Sequence, residues 1–169
     1  MARQIYREVQ HMSHSVFAYV FGGASLLFIV GMIVLYSWDS TTWNEATTGL
    51  VIATVTLFLA VWLILTLKLE IQVEESRLSY RMPPLINKER YIQRDEISSF
   101  EVIDFRPIAH YGGWGIRFSP TRGKALIISG STGLKLHLKS GKDLLLGTRQ
   151  KEEIRRAMTQ MMDNRQDYA

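Results

Sequence analysis

The sequence predicts an α+β membrane protein: a two-helix transmembrane hairpin, then a small seven-stranded antiparallel β-barrel or sandwich closed by a C-terminal helix. Three observations predict it. Residues 16–67 are apolar except for one short polar interruption, the stretch after it alternates apolar and polar residues in short runs, and the last stretch repeats apolar residues at helical spacing. The 169 residues therefore divide into an N-terminal segment (1–15), a hairpin (16–67, helices 16–38 and 46–67), a strand-built domain (68–163) and a tail (164–169).

In residues 1–15, Ile5, Val9 and Met12 fall at i, i+4 and i+7, with Arg3, Arg7 and Gln10 elsewhere. That spacing suits a short helix on the inner membrane surface, or else a frayed polar tail. His11 and His14 are three apart, too few ligands for a metal site. The arms 16–38 and 46–67 hold 23 and 22 residues without a charge. Each makes a helix of roughly 33–35 Å against a hydrocarbon core of about 30 Å. A soluble protein would need far more polar chain to bury two such rods. The apolar run is too long for a signal sequence and lacks a small-residue cleavage pattern, so the arms read as uncleaved anchors.

Lipid gives helices no hydrophobic drive to meet, so small residues mark their contact faces. Ala18, Gly22 and Ser25 form such a stripe on the first arm, and Gly49, Ala53, Thr56 and Ala60 on the second. Tyr36, Trp38 and Trp43 cluster at the boundary opposite the termini, where amphipathic rings sit. The loop 39–45 carries two acids and no base, whereas Lys68 follows the second arm. Both termini are therefore expected on the cytoplasmic side.

From Leu69 the pattern alternates: Leu69, Ile71 and Val73, a turn at Glu75-Ser76-Arg77, then Leu78, Tyr80 and Met82, ended by Pro83-Pro84. Residues 86–93 form a loop or short strand, and Arg94–Ile97 one helical turn or tight bend before a strand to Phe105. Trp114–Phe118, Ala125–Ile128, Leu134–Leu138 and Asp143–Leu146 follow as short strands between glycine-bearing turns. Thr148 or Gln150 can cap a final helix with Glu152 and Glu153 in its first turn and Ile154, Met158 and Met161 on one face.

The run Tyr111-Gly-Gly-Trp-Gly-Ile-Arg117, the stretch Gly133–Glu153 and the Arg94–Ile97 turn resemble the bacterial pleckstrin-homology-like domains of small membrane proteins. The resemblance covers roughly 69–163. It implies a seven-stranded, bent β-barrel closed by the C-terminal helix, commonly joined to two transmembrane helices in a bacterial inner membrane. Relatives that bind phosphoinositides place basic residues around the first hairpin loop. Here that loop, Glu74–Arg77, is short and acidic, which argues against that route.

No catalytic constellation is legible, and no cofactor or metal is expected. Glu101, Asp104 and His110 lie close in sequence without a nucleophile and base in a supporting pattern, and the absence of cysteine removes thiolate chemistry. The charge-free spans disfavour a channel or transporter subunit. Mixed charges and the lack of a reading motif disfavour nucleic acid. The leading expectation is a membrane-anchored, non-catalytic binding or scaffold module whose cytoplasmic domain recognises a protein partner or a second copy. The alternative is an anionic-lipid module: from Lys68 onward there are 18 basic and 13 acidic residues, and Lys68, Lys88, Arg90, Lys135, Lys139 and Lys142 are the candidate lipid-facing bases.

Overall fold

In the structure, a computed structural model, residues 3–12, 16–38 and 45–163 are described. The chain divides into two compact units, Met1–His11 with Lys68–Ala169, and Met12–Leu67. The strand-built unit is therefore not one continuous segment. Its first strand precedes the helices and the rest follows them.

That first strand corrects the N-terminal expectation. Residues 4–11 form β1 (Gln4–His11), paired antiparallel with β2 (Lys68–Glu74) from Gln4↔Glu74 to His11↔Lys68. A helix was expected because Ile5, Val9 and Met12 fit its period. The face that β1 buries instead carries Tyr6, Glu8, Gln10 and Met12, while Val9 is exposed. A strand whose inner face is largely polar does not announce itself by alternating hydrophobicity. Those groups face in because partners wait there: the Tyr6 hydroxyl donates to Glu8 (2.6 Å), and Gln10 Nε2 donates to the Gly147 carbonyl (2.7 Å).

The helices thus form an insertion at the tip of a β-hairpin. Met12 N–H donates to the Leu67 carbonyl at 3.1 Å, so the excursion begins and ends at one place. It contains α1 (Val16–Trp38) and α2 (Glu45–Thr66). Among the described residues, one helical stretch, the 19 residues Thr48–Thr66, has the length and composition to cross a membrane; the apolar stretch of α1, Gly22–Val34, is shorter. On its inner side this unit buries Ser25 of α1 and Thr54 and Val61 of α2. Thr54 and Thr56 donate their hydroxyls to the Leu50 and Ile52 carbonyls, four residues back, so neither needs an outside partner.

β2 continues into β3 (Arg77–Met82) and β4 (Ile86–Gln93), completing a four-stranded antiparallel sheet in the order β1-β2-β3-β4. One 3-10 turn, Arg94–Glu96, is closed by a reciprocal Gln93–Glu96 capping box and leads into β5 (Ile97–Asp104). After α3 (Pro107–Tyr111) come β6 (Gly115–Ser119), β7 (Gly123–Ile127), β8 (Thr132–Leu138) and β9 (Asp143–Thr148), then α4 (Lys151–Asp163). The second sheet runs β5-β8-β9-β7-β6, with β7 and β9 parallel and the other pairs antiparallel.

The expected fold of a two-helix transmembrane hairpin plus a seven-stranded barrel is corrected on both counts. Among the described residues one helix has the makings of a span, and nine strands form two sheets that do not close into a barrel. Closure fails because β5 leaves β4 at the 3-10 turn and pairs with β8, so β4 and β6 each end a sheet. The C-terminal helix stands where the sequence placed it. Ile154, Ala157, Met158 and Met161 are its buried face.

The middle of the second sheet is buried on both faces. Leu126, Leu134, Leu136, Leu144 and Leu146 share one face by register and are almost fully buried. On the other, Ala125, Ile127 and Leu145 pack with Phe105 and Tyr111, whose rings meet edge-to-face at 5.9 Å, and half-buried Trp114 covers them. Gly112, at φ 72°, ends α3, which lets Tyr111 fold under the sheet. Gly133 keeps β8 thin at this spot: a Cβ there would stand 3.0 Å from the Phe105 ring.

Candidate functional site

Charged side chains on the strand-built unit fall into two kinds, those matched inside it and those left open. The largest matched group surrounds Glu70 on the outer face of the first sheet. Glu70 is buried, yet Lys68 reaches it at 2.9 Å, Arg81 at 2.7 Å and Arg7 at 3.8 Å. Burial raises the carboxyl's pKa, but the hydrogen bonds from Lys68 and Arg81 outweigh that and hold it below the ordinary range. Lys68, one of the candidate lipid-facing bases, is ion-paired within its own sheet.

A second matched group lies across β5, β8 and β9. Lys135 stands 3.2 Å from Glu101 and 3.6 Å from Asp143, and His137 lies between the same two carboxylates, 2.8 Å from Asp143 and 3.4 Å from Glu101. The Lys135 hydrogen bond holds the Glu101 carboxyl low. A carboxylate–imidazole–carboxylate row has the look of acid–base machinery, but no hydroxyl nucleophile is bonded to His137, whose two ring nitrogens are taken by Asp143 and Glu101. Among the described residues no group of three His, Asp or Glu side chains could hold a metal. Asp104 is tied to Thr132 and Lys151, and His110 accepts from the Arg106 N–H within α3's first turn. The sequence neighbours Glu101, Asp104 and His110 are thus not drawn into one site.

The six candidate lipid-facing bases are likewise not gathered on one face. Lys68 and Lys135 are ion-paired, Lys139 and Lys142 flank the β8–β9 turn, and Lys88 and Arg90 stand on β4. Of the helix-packing candidates, Ser25 is buried and Gly22 half-buried, with Leu65 Cδ1 at 4.0 Å from a Cβ built on Gly22. Gly49, Ala53, Thr56 and Ala60 are exposed, and α2 buries Thr54 and Val61 instead. The side chain of Ala18, the aromatic group Tyr36, Trp38 and Trp43, His14 and the tail 164–169 lie outside what is described.

The open charges are Arg90 on β4 and Lys124 on β7. Arg90 is opposite Tyr80 on β3, and Ile92 opposite Leu78, so Arg90 shares the first sheet's inner face with those buried residues. On the second sheet Ile116 is opposite Leu126 and Phe118 opposite Lys124, so these too share the core face with Leu126 and Leu146. Yet Phe118 is 78% exposed. Burial, and then the charge of Arg90, push the Lys124 amine below the ordinary lysine range. Neither cation has an ion pair among the described residues. Burial raises the Tyr80 hydroxyl's pKa, with Arg90 pulling the other way. Sequence reading named Arg90 but missed Lys124 and Phe118, because their relation exists only once β6 pairs with β7 at the rim. The chain matches no protein-family model and no curated protein.

Proposed function

We propose that this chain is a membrane-inserted, non-catalytic binding module: the helical excursion holds it in the bilayer, and the strand-built unit receives a protein partner on the aqueous side. The observation that carries the reading is the surface of the helices. Leu27 is 75%, Ile52 62% and Trp62 57% exposed, and no Asp, Glu, Lys or Arg interrupts Val16–Trp38 or Ala46–Thr66. Burying a large apolar side chain stabilises it by about 1.5–3 kcal/mol. Water is a poor solvent for so many together, and hydrocarbon suits them.

Because β1 and β2 are paired, both ends of the excursion leave from one face of the strand-built unit. Support for binding rather than chemistry comes from the charges. The titratable clusters around Glu70 and His137 are matched among themselves, which suits recognition more than proton transfer.

Extraction with alkaline carbonate tests the membrane part. The full chain is expected to stay with the membranes, and Val55→Arg, placed near the middle of Thr48–Thr66, to be retained several-fold less, since a central arginine costs about 2.5–3.5 kcal/mol of insertion. Release of the unaltered chain into the supernatant would contradict it. Cross-linking in native membranes, read by mass spectrometry, tests the partner part; a chain recovered only as an uncross-linked monomer counts against it.

A further inference from the structure

We propose that the outer face of the first sheet, where Arg7, Lys68 and Arg81 gather around Glu70, binds the phosphates of anionic lipid headgroups. The proposal gives the module a second binding surface and rests on the reading of the helical excursion as membrane-inserted.

Register builds the cluster. Arg81 on β3 is directly opposite Glu70, and Arg7 on β1 is opposite Gln72, so both share one face with Lys68 and Glu70 of β2. Arg81 reaches the carboxylate through Nε at 3.0 Å and Nη2 at 2.7 Å, Lys68 at 2.9 Å and Arg7 at 3.8 Å. Glu70 is thereby satisfied, but three positive charges against one negative leave an excess of two. The exposures show where that excess points. The Glu70 side chain is 4% exposed, those of Arg7, Lys68 and Arg81 50%, 36% and 40%. The carboxylate lies beneath, and the bases cover it and face outward. Each guanidinium has more N–H donors than one carboxylate oxygen uses, and these remain to be given to phosphate oxygens. Glu70 also fixes three long side chains in advance, which lowers the ordering cost of taking an anion.

No other acid cancels the excess. On the same face the Glu89 oxygens accept from the Ser79 and Tyr91 hydroxyls at 2.8 and 2.7 Å, and Glu74 pairs with Arg77 at 2.7 Å. Neither forms an ion pair with Arg7, Lys68 or Arg81 among the described residues.

Chain connectivity selects the anion. Thr66 ends the apolar span, and Leu67 leads straight into Lys68 at the start of β2. Glu70 follows Lys68 by about 7 Å of strand. The anionic surface that the chain itself brings to this end of β2 is the bilayer's, and a base within about 8 Å of such a surface keeps most of its attraction.

The test uses the full chain in neutral-detergent micelles mixed with phosphatidylglycerol or phosphatidylcholine, read by amide exchange in 68–72 and 79–82. Phosphatidylglycerol is expected to slow exchange saturably, less so as salt rises, and phosphatidylcholine to have no effect. Arg7→Gln should raise the half-saturating mole fraction about fivefold, and Arg7→Gln with Lys68→Gln about twentyfold or more. Lys142→Gln, a base removed beside the β8–β9 turn, should leave it unchanged. If circular dichroism shows the double variant unfolded, Arg7→Gln decides alone, since it leaves the closer Lys68 and Arg81 bonds to Glu70 in place. Equal protection by phosphatidylcholine, no saturable protection, an unaltered response in Arg7→Gln, or an equal loss in Lys142→Gln overturns the proposal. So does inorganic phosphate that gives the same protection without lipid, which assigns the cluster to a free anion. A glutamate–valine peptide that protects these segments where phosphatidylglycerol fails also overturns it, in favour of an acidic protein. Membrane retention is measured on the same preparations. Retention without a phosphatidylglycerol response overturns this inference alone, whereas loss of retention by the unaltered chain removes the reading beneath it.

Discussion

Glu8→Ala is expected to destabilise the strand-built unit by about 3 kcal/mol, lowering its thermal midpoint by roughly 10 °C. Glu8 is 6% exposed and accepts three hydrogen bonds: from Tyr6 Oη at 2.6 Å, Thr148 Oγ1 at 2.6 Å and the Arg149 backbone N–H at 2.9 Å. A hydrogen bond to a charged group contributes about 1.5–3 kcal/mol, and its loss leaves the donor buried without a partner. The three losses do not add, because Thr148 also accepts from the Gln150 N–H, which keeps that hydroxyl in place. Burial and the neighbouring Glu8 already push the Tyr6 hydroxyl well above the ordinary tyrosine range, so it stays a donor across the workable pH range. Glu8→Gln retains one acceptor oxygen and should cost about a third as much. Unfolding followed by near-ultraviolet circular dichroism in detergent checks both, and a midpoint unmoved by Glu8→Ala would show that β1 is not held by this network.

Gly123→Ala should cost at least about 3 kcal/mol, large for one methyl group. The residue begins β7 at φ 77°, a left-handed backbone that disfavours any side chain, and a Cβ there would overlap the Asp143 carbonyl oxygen and stand 2.8 Å from the Asp143 Cβ. The close approach follows from topology: β7 enters alongside β9 in parallel, Lys124 next to Leu144, and the two backbones meet before their side chains diverge. Relief requires the β6–β7 hairpin to swing from β9, which also displaces Lys124 and Phe118. Hydrogen exchange should therefore rise first in 115–127, and a variant as stable as the unaltered chain would contradict the described approach.

Much of the strand-built unit was legible because apolar alternation reports burial on one face. Leu134, Leu136 and Leu138 alternate cleanly, and they lie in β8; Ile154, Met158 and Met161 repeat at helical spacing, and they are the buried face of α4. β1 was not legible. Its buried residues Glu8 and Gln10 are polar, and their partners, Thr148 and Gly147, lie 140 and 137 residues away, a relation no local window contains. Closure was misjudged for a similar reason: strand spacing counts strands but does not say that β5 pairs with β8 and leaves β4 at an edge. On α2 the small-residue ridge Gly49, Ala53, Thr56 and Ala60 is exposed in the single chain, while Thr54, which satisfies its hydroxyl within the helix, is buried. The place of Phe118 beside Lys124 on one face of β6 and β7 was not legible, because it follows from cross-strand register.

The claim on which the account turns is that the helices α1 and α2 interrupt one β-hairpin, so that the excursion leaves and rejoins the folded unit through two paired strands. The chain has no cysteine, so Arg7→Cys with Gln72→Cys gives a clean probe. These residues are directly opposed across β1 and β2, and opposed strand residues lie about 4.5–5.5 Å apart at Cα, within disulfide reach. Mild oxidation of membranes carrying the full chain should give an intramolecular bond, seen as a faster-migrating monomer that reverts on reduction. An oxidised dimer, or a monomer that never forms the bond, would contradict the interrupted hairpin.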